Sequence, residues 1–285
     1  MGNDATIESR IGATQQKPWR ARSDRSVAIG QLARSFECPA LRPGWGDGER
    51  AAQLYFRPLE TYAARLGTLL DEIVELGFEN IDLWMGHLNP DWATLEHVVL
   101  AREILARRGL QVMSLAGYFG DTLDQFEAAC QLALALRVLL LAGNSRCLID
   151  HRADTLALLR KYSLVLGIEN ETATAEVVSN LVGDQDADVL GAIIDTGSFD
   201  ENGGDSVAAI ERLGSRIRQV HLRNCLSRTN SEAARFDAGL VPMPAVIRAL
   251  RDVNYAGGIS IEHVAYGFDP REDCRFNLEW LREQL

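Results

Sequence analysis

Eight apolar runs of strand length recur along the chain, and each is followed by a longer segment of helical period. The runs fall at 27–32, 80–84, 111–115, 138–141, 164–169, 190–195, 217–222 and 258–262. Strands that alternate with helices pair in parallel, because each crossover helix returns the chain to the same end of the sheet. Eight such units in one chain of 285 residues fit a closed (β/α)8 barrel, a TIM barrel, better than an open doubly wound sheet.

The helical segments support this order. Residues 59–76 place Leu66, Leu69, Leu70 and Ile73 on one face and stop before Gly77. Asp91 is the expected cap of a helix ending at Arg108, and Asp121 of a helix over 122–134. Further helices are expected at 154–162, 175–181, 206–213, 244–253 and 271–284. Residues 1–25 are polar and mixed in charge and read as a flexible tail. Residues 26–285 then form a single barrel domain. One long polar connection, 33–58, follows the first strand and falls on the face where barrel active sites sit.

Composition narrows the function. A net charge of −11 with no basic cluster argues against a nucleic-acid partner. No apolar run is long enough to cross a membrane, and no signal-peptide core opens the chain. Five scattered cysteines form no CxxC pair, so neither a disulfide framework nor a thiolate metal site is expected, and the chain reads as cytoplasmic.

The chemistry lies at the ends of the last four strands. LVLGIEN, VLGAIID, IRQVHL and GGISIEH each close an apolar run with a metal-competent residue: Glu169, Asp195, His221 and Glu262. A charged group ending an apolar strand is costly unless it is solvated or paired. In a barrel, four consecutive strand ends converge on one mouth. Period-two alternation turns Glu169, His221 and Glu262 inward, together with Gly167 and Ser260, and sends Leu166, Ile168, Val220, Ile259 and Ile261 to the helices. The first two gaps are 26 residues each, one β/α unit, and the last is 41, which leaves room for a longer loop. Three carboxylates and one imidazole suit one divalent ion, Mn²⁺, Mg²⁺ or Co²⁺, with Zn²⁺ also admissible.

The segments LGIENE, IIDTG, VHLRN and ISIEH, with GFENIDLWMGH early in the chain, resemble the sugar phosphate isomerase/epimerase superfamily. This xylose isomerase-like group includes D-tagatose 3-epimerase-like enzymes and inosose dehydratases and isomerases. The resemblance spans Val27 to Leu285. It implies that the four strand-end residues hold the metal and that Glu169 and Glu262 move protons on opposite sides of a sugar or cyclitol. Isomerisation or epimerisation would then proceed through an enediolate. Two positions depart from the family's usual pattern: Ser198 stands where a histidine is common, and Asn224 where an aspartate is. Both leave the four ligands intact and the particular reaction open.

Arg223, two residues past His221, is expected at the mouth, either gripping a substrate or pairing with an acid on the rim. His87 and Trp84 are further candidates for substrate contact, against the plainer reading that both pack. Asn170 and Glu171 are candidate partners of the ligands, and Tyr118 and Phe119 either line the pocket or pack. His263 should point at the helices, and His97 and His151 fall on or beside helical segments. The alternatives to an isomerase are an endonuclease IV-like hydrolase and a non-catalytic carbohydrate-binding barrel. The first would need more histidines than the five present. The expected partner is a small sugar or cyclitol, and a homo-oligomer is compatible with the sequence.

Overall fold

A computed structural model describes residues 25–28, 45–171, 173–263 and 268–285. Eight parallel strands close on themselves: β1 Arg25–Ala28, β2 Asn80–Trp84, β3 Gln111–Tyr118, β4 Leu140–Asn144, β5 Val165–Glu169, β6 Leu190–Asp195, β7 Ile217–Leu222 and, after a hairpin of β8 Cys225–Ser227 and β9 Asn230–Ala233, β10 Gly258–Glu262. Each barrel strand pairs with its neighbours in chain order, and β10 pairs with β1 to close the ring. The (β/α)8 expectation holds.

Helices cover the outside. They are α1 Trp45–Phe56, α2 Leu59–Glu75, α3 Leu95–Arg107, α4 Leu123–Leu136, α5 Cys147–Asp150, α6 Arg152–Tyr162, α7 Ala175–Val182, α8 Thr196–Glu201, α9 Ser206–Leu213, α10 Met243–Asp252 and α11 Arg271–Gln284. Leu66, Leu69, Leu70 and Ile73 of α2 are all buried, as their spacing requires. Leu166, Ile168, Val220, Ile259 and Ile261 belong to the same continuous core between strands and helices.

Several boundaries differ from the sequence reading, each for a local reason. Thr94, not Asp91, caps α3: its Oγ1 accepts from the His97 N–H while His97 Nδ1 accepts from the Thr94 N–H, a reciprocal box that satisfies two orphan donors. Thr122 with Gln125 does the same for α4 in place of Asp121. Within the connection 33–58 the chain forms α1 rather than an unbroken loop, and residues 29–44 lie outside the described residues, as does the expected tail up to residue 24. Strand β4 starts two residues later than expected and runs to Asn144, because it pairs along the extended β3 as far as Tyr118.

That extension depends on two facing glycines. Gly143 is paired with Gly117, has φ +149°, and a Cβ there would stand 1.9 Å from the Gly117 carbonyl oxygen. The obstacle is backbone and cannot swing aside. Gly143→Ala is expected to cost about 2–4 kcal/mol, read as a lower urea midpoint at unchanged slope. A midpoint equal to wild type would show that the two strands can part there freely.

Candidate metal centre

Glu169 ends β5, His221 lies one residue before the end of β7, and Glu262 ends β10. One ligand atom from each lies within 4.8 Å of the others. His221 Nδ1 stands 2.8 Å from Glu169 Oε1 and 3.5 Å from Glu262 Oε2. The ring is shut away, with 3% of its side chain exposed, while the Glu169 and Glu262 side chains keep 19% and 12%. The carboxylates therefore face the open mouth and the imidazole braces them from behind.

A girdle of side chains fixes these strand ends. Asn144 Nδ2 donates to the Glu169 carbonyl at 3.1 Å. Asn170 Nδ2 donates to the Asp195 carbonyl at 3.0 Å and its Oδ1 accepts from the Asp195 N–H at 2.7 Å. Thr196 Oγ1 donates to the Arg223 carbonyl at 2.8 Å. Each strand end thus holds a neighbouring one in place, so the functional side chains leave a rigid rim. Asn170 was legible as a partner of the ligands. Asn144 and Thr196 were not, because nothing in a strand's own period tells which neighbour its terminal amide or hydroxyl will reach.

Asp195 lies beside this cluster, with its Cα in register with that of His221. Both its oxygens are occupied. Ser198 N–H donates to Oδ1 at 3.0 Å and Ser198 Oγ to Oδ2 at 2.6 Å, and Arg223 Nε lies 3.0 Å from Oδ2. Ser198 therefore serves to hold this carboxylate. Arg223 also reaches Ser198 Oγ at 3.0 Å and Glu201 Oε2 at 3.2 Å, and Ser231 of the hairpin donates to Glu201. Gly197 lets the guanidinium pass, since a Cβ there would lie 2.8 Å from Arg223 Nε. Asn224 Oδ1 accepts from the Val241 N–H at 2.9 Å and its Nδ2 donates to the Arg235 carbonyl at 3.0 Å, so Asn224 organises the loop.

Arg223 is thus a buried pairing group, 8% exposed, rather than a rim charge. Removing one member of a buried pair strands the other. Arg223→Ala is expected to lower stability by about 3–5 kcal/mol, far beyond the ~1 kcal/mol of an exposed pair. Thermal unfolding checks this, and an unchanged melting temperature would deny the pair its structural weight.

Trp84 and His87 sit together on the β2 side, with 4% and 0% exposure. Their ring centroids are 5.5 Å apart, and His87 also meets Phe56 of α1 at 5.0 Å, both edge to face. Burial pushes the His87 imidazole down to about 3. Both residues are buried among aromatic neighbours, in line with the plainer expectation that they pack. Phe119 is buried and Tyr118 exposed, donating to Asp121 Oδ1 at 2.6 Å. His263 turns to α11, with Nε2 3.4 Å from Asp273 Oδ2, as its parity requires. A cavity of 460 Å³ lined by Thr174, Ser198, Phe199 and Arg212 adjoins the Asp195 end and contains none of the three clustered residues.

The electrostatics follow from burial. Burial raises the Glu169 carboxyl above its ordinary range, His221 pulls it back, and Glu262 and Asp195 push it further up. Burial opposes charge on His221, yet Glu169 and Glu262 together outweigh it and raise the imidazole well above its usual value. Asp195 is driven up by burial and pulled below its ordinary value by Arg223 and Ser198.

In closed parallel barrels the C-terminal strand ends are where functional side chains gather, and two carboxylates and an imidazole converge there in this chain. The chain belongs to the xylose isomerase-like TIM barrel family, whose family model matches residues 70–284. Solved structures with the same fold include a D-tagatose 3-epimerase-like protein, 18% identical over 75% of this chain and 91% of that one, TM-score 0.60. A xylose isomerase-like TIM barrel protein from Mycobacterium smegmatis, solved with magnesium, is 17% identical over 80% of this chain and 89% of that one, TM-score 0.62. The probable 3-DHS dehydratase AsbF of Bacillus anthracis is 16% identical over 91% of this chain and 98% of that one, TM-score 0.61. At such identities the likeness is one of fold. No curated protein matches the sequence.

Proposed function

We propose that the chain is a divalent-metal-dependent isomerase or epimerase of a sugar or cyclitol. The observation that carries this reading is the Glu169–His221–Glu262 cluster, two mouth-facing carboxylates held against one buried imidazole. The donor set fits a hard divalent ion, Mn²⁺, Mg²⁺ or Co²⁺, and admits Zn²⁺. Crowding three ionisable groups into 4.8 Å also argues for a cation between them, since like-charged carboxylates repel. Asp195 is the candidate fourth ligand. It stands on the strand beside His221, and an ion would have to replace its bonds from Ser198 and Arg223.

When bound, the ion would polarise a substrate carbonyl and the adjacent hydroxyl, acidifying the C–H between them. The chain's own groups do the rest. Glu169, at the mouth on β5, takes the proton. Glu262 approaches from another strand and returns a proton to the enediolate. Return to the opposite face of the same carbon inverts it. Return to the neighbouring carbon exchanges aldose and ketose, and expulsion of a β-hydroxyl instead would give dehydration. The free, buried state of Cys130, Cys147, Cys225 and Cys274 supports a reducing, cytoplasmic setting. Among the described residues no helix is long and apolar enough to cross a membrane.

The test couples elemental analysis of the purified protein to incubation with a panel of free sugars and cyclitols in D₂O. The expected result is about one divalent ion per chain and deuterium in a product C–H. A metal-loaded protein that turns over a substrate of this class without solvent deuterium would contradict proton transfer through an enediolate.

A further inference from the structure

We propose that Asp82 is the positioning residue of His221: its negative charge, locked behind the ring, attracts the Nε2 side so that Nδ1 faces Glu169 and Glu262. The inference rests on the metal reading above only for what Nδ1 would bind. Asp82 lies on β2, and its side chain projects into the barrel interior, where branched apolar residues ordinarily stack. It is 0% exposed. A carboxylate at such a place costs several kcal/mol unless donors surround it.

Three donors from three other strands surround it. Ser114 Oγ of β3 donates to Oδ1 at 2.8 Å, and Gln219 Nε2 of β7 donates to the same oxygen at 2.7 Å. Ser260 Oγ of β10 donates to Oδ2. Gln219 Nε2 also lies 2.7 Å from Ser260 Oγ, which ties the donors to one another. Oδ2 is then the oxygen nearest the imidazole, 3.9 Å from His221 Nε2, an ion-pair distance longer than a hydrogen bond. Nε2 is buried without a hydrogen-bond partner among the described residues, and Asp82 is the carboxylate beside it. The opposite nitrogen meets Glu169 and Glu262. The ring is thus set between one carboxylate below it and two above it, and the two faces differ in kind. The upper carboxylates reach the mouth, whereas Asp82 is locked by its donors.

This arrangement explains why a polar layer interrupts the barrel core directly beneath the mouth. A carboxylate behind a ligating histidine fixes which nitrogen carries the proton and which offers its lone pair, and loss of such a partner commonly weakens metal binding 10–100-fold. A polar plug with no bearing on His221 would use the same donors but leave the ring indifferent to Asp82.

The test uses the full chain with Asp82→Asn, which keeps the shape and replaces one oxygen by NH₂. Mn²⁺ affinity by calorimetry is expected to fall about 10–100-fold. With Zn²⁺ as a diamagnetic probe, long-range ¹H–¹⁵N spectra should show His221 of the wild type protonated only at Nε2, and that pattern should be lost in the variant. Equal Mn²⁺ affinity with an unchanged His221 pattern would overturn the proposal. If Asp82→Asn does not fold, Ser260→Ala removes the donor on the oxygen that faces the ring. It should weaken Mn²⁺ binding about threefold or more with the same spectral change, and no change in either overturns the proposal. If the wild type itself takes up no ion, the metal reading fails. Asp82 is then judged in the metal-free protein: slow exchange of the Nε2 proton in wild type and fast exchange in the variant upholds it, and equal exchange refutes it.

Discussion

Glu262→Gln and Glu169→Gln are each expected to cut turnover by about 10²–10⁴-fold, the range for removal of a positioned acid or base. The substitution keeps the shape of the side chain and one oxygen acceptor. It removes the group that accepts or delivers the proton. Both residues also belong to the metal cluster, so metal content must be measured beside the rate. A variant that holds its ion and loses turnover separates proton transfer from binding. The two should differ in solvent exchange: Glu169→Gln should stop deuterium entering substrate, whereas Glu262→Gln should leave some exchange without net product. A variant that keeps both its ion and near-normal turnover removes that glutamate from the acid–base role.

Metal uptake should rise steeply with pH. The carboxylates of Glu169 and Glu262 outweigh burial and raise His221 well above its ordinary value, so the ring keeps its proton to higher pH. An ion needs Nδ1 unprotonated. Below the raised value each ion displaces one proton, and Mn²⁺ affinity should fall by about tenfold per pH unit as pH drops. The stability of the metal-free protein runs the other way. A raised folded-state value contributes stability that is complete below the unfolded value and is lost as pH rises through the folded one. The gain in melting temperature on adding Mn²⁺ should therefore widen with rising pH. Calorimetry in two buffers of different ionisation enthalpy reads the released proton directly. Affinity independent of pH, with no proton released, would mean that His221 is not a ligand.

The barrel was legible because its signal is repeated. Each strand carries its own apolar run, and each helix its own stripe, so local errors do not accumulate. The inward parity of Glu169, His221 and Glu262 followed from period two alone, and the three meet as that parity requires. What escaped the sequence depends on partners far apart in the chain. Asp195 has the same strand-end signature as the other three, yet Arg223 and Ser198 hold both its oxygens, and no spacing announces that convergence. Of the two expectations for Arg223, gripping substrate or pairing with an acid, the ion pairs with Asp195 and Glu201 match the second, and its depth depends on Gly197 of α8. Ser114 and Gln219 carry no strand-end signature in the sequence. Their function is visible only once the closed ring brings them to Asp82, in the second case across 137 residues of chain. Trp84 and His87 illustrate the converse. Their inward or mouth position was a fair expectation, but α1, hidden in a polar connection, brings Phe56 against His87.

The most direct measurement is anomalous diffraction from a crystal of the full chain grown with Mn²⁺. A single strong peak should lie among Glu169, His221 and Glu262, about 2.0–2.3 Å from their ligand atoms and on the Nδ1 side of the ring. Absence of a peak there at saturating Mn²⁺, or a peak bound elsewhere with His221 still bridging the two glutamates, would contradict the account.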